Sequence, residues 1–160
     1  MINITKHSGI YTLKVKQNLK MSLDDAWNYF SNPSNLSEIT PAKMGFNITS
    51  EKSDFMYVGQ IISYKVSPLL GLKMNWVTEI THISDKSFFV DEQRFGPYTM
   101  WHHEHLFTKN GDKTEITDKV SFKLPLGFLG RLFAPVIVIP QLKKIFNHRI
   151  EVLEKKFNNE

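Results

Sequence analysis

The sequence predicts an α+β domain in which a curved antiparallel sheet wraps around one long C-terminal helix. Three observations predict this class. Residues 44–123 carry short strand patterns separated only by turns, residues 127–158 carry one long helical pattern, and no second helical pattern of that length is present. Sequential strands without intervening helices pair as an antiparallel meander. Such a sheet must bury one face, so we expect the terminal helix to cover it.

The first elements are a strand and two short helices. Apolar and polar residues alternate over residues 10–20, which is typical of a half-buried strand. Ser22, with Asp25 three residues later, then has the pattern of a capping box. The apolar residues that follow recur at helical spacing, so we expect a helix that ends before Pro33. A second short helix is predicted at 34–39.

A further series of strands is predicted between residues 44 and 123, giving seven strands in all. The breaks between them carry Gly, Pro, Asn, Asp or Ser, which turns favour. The most specific is Asn110-Gly111, because both residues tolerate the positive φ of a type I′ turn. The strands are expected at 44–51, 58–67, 72–83, 86–94, 98–108 and 114–123, with turns at 68–71, 84–85, 96–97 and 110–111.

Residues 127–158 repeat apolar residues every three or four positions, which predicts an amphipathic helix. Pro135 and Pro140 each remove a backbone donor and clash with the preceding turn. We therefore expect a kink, or a separate short helix before residue 136. The predicted apolar stripe consists of Leu129, Leu132, Val136, Ile139, Leu142, Phe146, Ile150, Leu153 and Phe157.

The composition excludes several classes of protein. A chain of 160 residues suits a single domain spanning 1–160. The net charge of +4 is spread over scattered lysines, so we expect no nucleic-acid binding, although the surplus permits peripheral contact with anionic membranes. There is no cysteine, no signal-peptide pattern and no apolar run long enough to span a bilayer. We expect a cytoplasmic protein, and the oligomeric state stays open.

The last strand places a carboxylate among apolar residues. Ile116, Val120 and Phe122 share one face of strand 114–123, and Asp118 falls on the same face. A buried carboxylate is costly unless it is paired. With a two-residue loop at 110–111, His103 lies directly opposite Asp118. The residues that then face inward with it are Trp101, His103, His105 and Phe107.

Other loop lengths remain open. A four-residue loop keeps this facing and puts His105 opposite Asp118. A three-residue loop with a bulge would instead turn His102 and Glu104 inward. We favour the first facing, because Trp101 and Phe107 are better buried than Glu104. The neighbouring strand offers the inner face one of two pairs, Asp91 and Gln93, or Val90 and Glu92.

The order of elements resembles the helix-grip START/SRPBCC superfamily, which includes pollen allergens, lipid-transfer START domains and polyketide cyclases. The segments that carry the resemblance are FFVDEQRFGPYTMWHHEHLF (88–107), TDKVSFKLPLGFLGRLF (117–133) and PQLKKIFNHR (140–149). They are similar to a bacterial ligand-binding, cyclase/dehydrase-like subgroup. The resemblance implies a fold and a pocket rather than a reaction, because the family has no universal catalytic residues. The positions that match the subgroup's pattern are Asp91, Gln93, Trp101, His103, His105, Phe107 and Asp118.

The first functional hypothesis is the binding of a hydrophobic small molecule, such as a lipid, isoprenoid or aromatic polyketide, between the sheet and the C-terminal helix. Burial of apolar surface would supply affinity, and the histidine–aspartate group would orient the ligand. The simpler interpretation of that group is a buried network that only satisfies itself. The expected ligand-binding residues are Trp27, Trp76, Asp91, Gln93, Trp101, His103, His105, Phe107, Asp118, Phe122, Leu142 and Phe146.

Two alternative hypotheses belong to other classes. In a cyclase- or dehydratase-type enzyme, His103 and Asp118 would act as general acid and base. In an interaction or regulatory protein, the groove would hold a partner. The pair His103-x-His105 with a carboxylate would suit Zn²⁺ or Fe²⁺, but paired strand histidines are often only hydrogen-bonded. We therefore expect no metal and no cofactor.

Overall fold

The computed structural model describes residues 2–51, 53, 55–67, 71–125 and 127–158, without the side chains of Phe128, Leu129 and Arg131. Most of the turn predicted at 68–71, and the side chain of Leu129, therefore lie outside the described residues. The strands are β1 (Asn3–His7), β2 (Ile10–Leu19), β3 (Asn47–Ile48), β4 (Ile61–Val66), β5 (Met74–Ser84), β6 (Phe88–Phe95), β7 (Met100–Asn110) and β8 (Lys113–Lys123). The helices are α1 (Leu23–Phe30), α2 (Gly127–Phe133) and α3 (Ile139–Phe157).

The predicted fold class is confirmed. All eight strands form one antiparallel sheet in the order β1-β2-β8-β7-β6-β5-β4-β3. The apolar face of α3 packs on the inner face of this sheet, where Leu142 and Phe146 join a core with Leu13, Val120 and Phe122. In the described part of the chain, no helix is both long and apolar enough to cross a membrane.

The expected count of seven strands misses β1. Ser8 and Gly9 connect it to β2 with φ of 50° and 80°. Two successive positive φ values are what a type I′ hairpin turn requires. Four of the five residues of β1 are exposed, so the segment lacks the alternation that reveals a half-buried strand.

The hairpin between β7 and β8 turns one residue later than predicted. Asn110 pairs with Lys113, so Gly111 and Asp112 are the central residues, and Gly111 has a φ of 64°. The predicted pairing of His103 with Asp118 is therefore wrong, and His105 lies opposite Asp118 instead. This is the pairing expected for a four-residue loop, and it preserves the predicted facing. The Asn110 side chain donates to Asn18 Oδ1 at 2.9 Å, which holds Asn110 in the strand.

Helix α1 begins at the predicted capping box. The backbone N–H of Asp25 donates to Ser22 Oγ at 3.1 Å, and the Ser22 hydroxyl donates to Asp25 Oδ2 at 2.6 Å. These bonds satisfy an N-terminal donor of α1. The second short helix is a 3₁₀ turn at Pro33–Ser37 rather than a helix over 34–39. A further 3₁₀ turn covers Ala42–Met44.

The prolines divide the C-terminal helix as expected. A π-helical turn at Ala134–Val138, which contains Pro135, separates α2 from α3. Pro140 lies in the first turn of α3, directly after the π-helical turn. The predicted apolar stripe is buried only within α3, because Leu132 and Val136 are 55% and 74% exposed.

Candidate functional site

A cavity of about 180 Å³ lies between the concave face of the sheet, α3 and the connection from α1 to β4. Aliphatic and aromatic side chains make up most of its wall, as in most small-molecule sites. The sheet contributes Ile62, Tyr64, Val66, Trp76, Ile80, Phe89, Tyr98 and Trp101, α3 contributes Leu142, Ile145 and Phe146, and the connection contributes Leu36, Ile39, Met44, Phe46 and Met56. The charged and imidazole groups of the wall are Asp91, His103, His105 and Arg149.

The cavity wall includes seven of the predicted ligand-binding residues and leaves out five. Asp118 lies behind the histidines and borders a separate small pocket between β2, β8 and α3. The predicted residues in the wall are Trp76, Asp91, Trp101, His103, His105, Leu142 and Phe146. Besides Asp118, those outside it are Trp27, Gln93, Phe107 and Phe122.

Three of the aromatic residues outside the wall are packed in the core. Trp27 meets Phe107 edge to face with ring centroids 5.5 Å apart, and it meets Phe89 similarly at 6.0 Å. Phe122 is fully buried and stacks on Tyr11 at 5.4 Å. These contacts fix the position of α1 on the sheet and of β8 within it.

Gln93 braces the turn between β6 and β7. Its amide N–H donates to the backbone carbonyl of Tyr98 at 2.7 Å, and its Oε1 accepts from the Tyr98 backbone N–H at 3.2 Å. A Cβ atom on Gly96 would lie 2.4 Å from Gln93 Oε1, so a larger residue there would displace the Gln93 side chain. Tyr98, which this turn positions, is part of the cavity wall.

The polar wall is built on alternate residues of β7. His103 and His105 point to the same side, and their ring centroids are 3.7 Å apart with ring planes 37° from parallel. Asp118 of β8 lies at one edge of both rings, 2.9 Å from His103 Nε2 and 3.1 Å from His105 Nδ1. Asp91 of β6 lies at the other edge, 2.8 Å from His105 Nε2 and 3.4 Å from His103 Nδ1. Phe89 stacks on the outer face of His105 at 4.1 Å.

Four imidazole nitrogens thus face two carboxylates, and a neutral imidazole carries one N–H only. Burial lowers the pKa of His105, but its contacts with Asp118 and Asp91 outweigh burial and raise the pKa above its ordinary value. Burial and the neighbouring His105 lower the pKa of His103, and the two aspartates only partly offset this. These opposite shifts favour protonation of His105 over His103.

Arg149 of α3 completes the group, and the sequence interpretation missed it. Its Nη1 donates to Asp118 Oδ1 at 3.2 Å, and its Cζ lies 5.1 Å from the centroid of the Phe146 ring. Burial raises the pKa of Asp118, but the Arg149 charge, the hydrogen bond with His103 and the proximity of His105 hold it well below its usual range. The spacing of Arg149 from Phe146 and Leu153, three and four residues, is the signal that could have revealed its buried face. We name the five residues Asp91, His103, His105, Asp118 and Arg149 the polar cluster.

Donor atoms of Asp91, His103 and His105 lie within 4.8 Å of one another, a spacing that a metal ion can bridge. Imidazole binds a metal through a lone pair in the ring plane. Each ring turns a nitrogen toward the same Asp91 oxygen, His105 Nε2 at 2.8 Å and His103 Nδ1 at 3.4 Å. In this structure the three groups therefore contact one another directly.

A second polar spot in the wall lies on β4 and β5. The indole N–H of Trp76 donates to Thr78 Oγ1 at 3.1 Å, and the Tyr64 hydroxyl lies 3.3 Å from the same oxygen. Burial, and then the Asp91 charge, raise the pKa of Tyr64, so its hydroxyl stays protonated. These groups satisfy one another within an otherwise apolar surface.

No protein-family model matches the sequence, and no curated protein matches it. Several solved structures are similar over nearly the whole chain. A protein from Arthrobacter aurescens superposes with a TM-score of 0.70 at 12% identity, over 96% of this chain and 91% of that chain. Protein Ms6760 from Mycobacterium smegmatis gives 0.66 at 14% identity, over 97% and 99% of the two chains. Major latex-like protein 151 from Panax ginseng gives 0.65 at 13% identity, over 94% and 99%.

At such identities a similarity of coordinates establishes a fold and no activity. The shared architecture is the bent antiparallel sheet with a long C-terminal helix in its concave face, as the order of elements predicted. By its own coordinates and by these likenesses, the chain has the helix-grip fold.

Proposed function

We propose that this protein binds a hydrophobic small molecule in the cavity between the sheet and α3. The observation that carries the proposal is the cavity of about 180 Å³, whose wall is mostly apolar and carries its charged and imidazole groups at Asp91, His103, His105 and Arg149. Concave apolar sites with a few convergent polar groups are the usual form of small-molecule sites. The resemblance to the bacterial ligand-binding subgroup of SRPBCC proteins supports the same proposal.

The two parts of the wall have different roles in this proposal. Trp76, Trp101 and Phe146 supply affinity, because each square ångström of apolar surface removed from water stabilises the complex by about 25 cal/mol. The polar cluster orients the ligand, because buried hydrogen-bonding groups favour a ligand that presents a matching group. A lipid, an isoprenoid or an aromatic polyketide has the required apolar body.

Titration with the neutral fluorescent probe N-phenylnaphthylamine tests the proposal. We expect saturable fluorescence enhancement with one site per chain. The variant Ile145→Trp fills the cavity from α3 and should abolish most of the enhancement. Val152→Trp is the matched control, because Val152 is also half-buried on α3 but lies outside the cavity wall. Binding that is not saturable, or that Ile145→Trp and Val152→Trp change equally, would contradict the proposal.

Extraction of the purified protein into organic solvent, followed by mass spectrometry, would then identify a natural ligand. The proposal expects an apolar compound in stoichiometric amount from the wild type and its loss from Ile145→Trp. The Val152→Trp protein should retain it.

One observation favours a second candidate, a cyclase- or dehydratase-type enzyme. His103 is in the cavity wall, and the lowered pKa of its buried imidazole leaves it neutral and able to accept a proton at neutral pH. Asp118, at 2.9 Å from His103 Nε2, would orient the ring. Turnover of a bound carbonyl compound with a bell-shaped pH dependence that disappears in Asp118→Asn would identify the enzyme. Binding without turnover would support ligand binding and contradict the enzyme.

A further inference from the structure

Arg149 is a buried cation with more hydrogen-bond donors than the protein uses. A guanidinium carries five N–H groups, and the Arg149 residue is only 8% exposed. Among the described residues, its hydrogen bond is the one from Nη1 to Asp118 Oδ1 at 3.2 Å. Its Nε is buried without a partner. Buried donors, and those of charged groups above all, are costly to leave unpaired, so this atom lacks an acceptor.

The guanidinium is held in place at the cavity. Asp118 fixes one of its nitrogens, and the ring of Phe146 lies beneath its Cζ at 5.1 Å. Arg149 is also part of the wall of the large cavity, on the side of His103 and His105. A donor that is fixed by its surroundings loses little conformational entropy when a ligand binds to it.

Charge restricts the kind of group that suits this donor. The polar cluster already contains two carboxylates, Asp91 and Asp118, against the single permanent cation of Arg149. The imidazoles of His103 and His105 compensate the remaining charge only by binding protons. An anionic ligand would place a third negative charge on this desolvated wall, whereas an uncharged oxygen accepts the hydrogen bond without adding charge.

We propose, as an extension of the proposed function, that Arg149 recognises an uncharged oxygen acceptor at the polar end of the ligand, such as the carbonyl of a ketone or an ester. The ligand class is therefore an apolar molecule with a neutral carbonyl. Arg149 cannot accept a hydrogen bond, so a group that only donates would not satisfy it. The polar end of the ligand lies beside the histidines, and its apolar body lies against Trp76 and Trp101.

Three competitors of equal chain length test this assignment, namely decane, methyl decanoate and decanoic acid, each used to displace N-phenylnaphthylamine at neutral pH. We expect the ester to displace the probe at a concentration about tenfold lower than decane, since one hydrogen bond from a charged donor contributes on that scale. We expect the acid to displace it no better than the ester. The Arg149→Lys protein retains a cation for Asp118 but replaces the planar five-donor guanidinium with a shorter three-donor ammonium, so the ester should lose most of its advantage.

Arg94→Lys is the matched control, because Arg94 is exposed and pairs with Glu79 and Glu92 on β5 and β6. It should leave the ratio of ester to decane unchanged. If Arg149→Lys does not fold, the double variant Arg149→Met with Asp118→Asn removes both buried charges together. That protein should show the same loss of the ester's advantage.

Each result decides the inference. Equal displacement by ester and decane, or an ester advantage that survives both Arg149 variants, would overturn the role of Arg149 while the proposed function stands. Tenfold tighter binding of the acid would overturn the argument from charge. Absence of probe binding in the wild type would overturn the inference together with the proposed function.

Discussion

Replacement of Asp118 by asparagine should destabilise the protein strongly. Asp118 is 5% exposed and lies within 2.9–3.2 Å of nitrogens of His103, His105 and Arg149. An asparagine can still accept a hydrogen bond, but it removes the buried carboxylate that directly contacts Arg149, at 3.2 Å. Breaking a buried ion pair from one side costs about 3–5 kcal/mol. That is a large part of the roughly 5–15 kcal/mol that stabilises a typical domain.

Urea unfolding of five proteins, the wild type, Asp118→Asn, Arg149→Met, their double variant and Glu115→Gln, separates this charge effect from a simple loss of contacts. Asp118→Asn should lose about 3–5 kcal/mol. The double variant Asp118→Asn with Arg149→Met should recover much of that loss, with a coupling energy of about 1–3 kcal/mol. Glu115→Gln is the control, because Glu115 lies on the same strand and pairs with Lys16 on the outer face, and it should cost below about 1 kcal/mol. Equal costs for Asp118→Asn and Glu115→Gln, or strictly additive effects in the double variant, would refute the reasoning.

Three further predictions concern the same region. The folded-state pKa of Asp118 is depressed, so its ionised form stabilises the protein above the unfolded pKa of about 3.9. That stability is lost as pH falls through the folded pKa. The free energy of unfolding should therefore decrease less with falling pH in Asp118→Asn than in the wild type. The folded-state pKa of His105 is raised, so protonated His105 contributes its full stability below about pH 6.5, and this stability is lost as pH rises through the folded pKa. NMR titration should place the pKa of His105 above that of His103. The reverse order would contradict the assignment. Gly96→Ala should displace Gln93 from the Tyr98 backbone and lower the melting temperature. In a Gln93→Ala background, Gly96→Ala should cause little further loss. An unchanged melting temperature in Gly96→Ala alone would show that the close approach is not required.

The hydrophobic pattern was sufficient to predict the order of the main strands, the antiparallel meander and the covering helix. It was also sufficient to turn Asp118, His103 and His105 inward, because residue alternation alone sets the face of a strand. The register across the hairpin could not be obtained in this way. Moving the turn by one residue, from Asn110-Gly111 to Gly111-Asp112, changes the pairing partner of His105 and leaves every side chain on the same face.

The remaining differences have separate physical reasons. β1 escapes prediction because its residues are mostly exposed, so it shows no alternation. Leu132 and Val136 fit a helical stripe, but the π-helical turn buries Ala134 and Val138 in the core instead. Arg149 is missed because a charged residue in a helix is ordinarily placed on the polar face, and its burial depends on a carboxylate that comes from another element.

The buried ion pair between Asp118 of β8 and Arg149 of α3 places a positive charge from the helix against the negative side chains of the sheet. Without α3, the concave surface would expose the carboxylates of Asp91 and Asp118 with no permanent positive charge beside them. Docking of the helix and neutralisation of this surface are therefore one event. A partly opened form in which α3 moves away from the sheet must hydrate both Asp118 and Arg149.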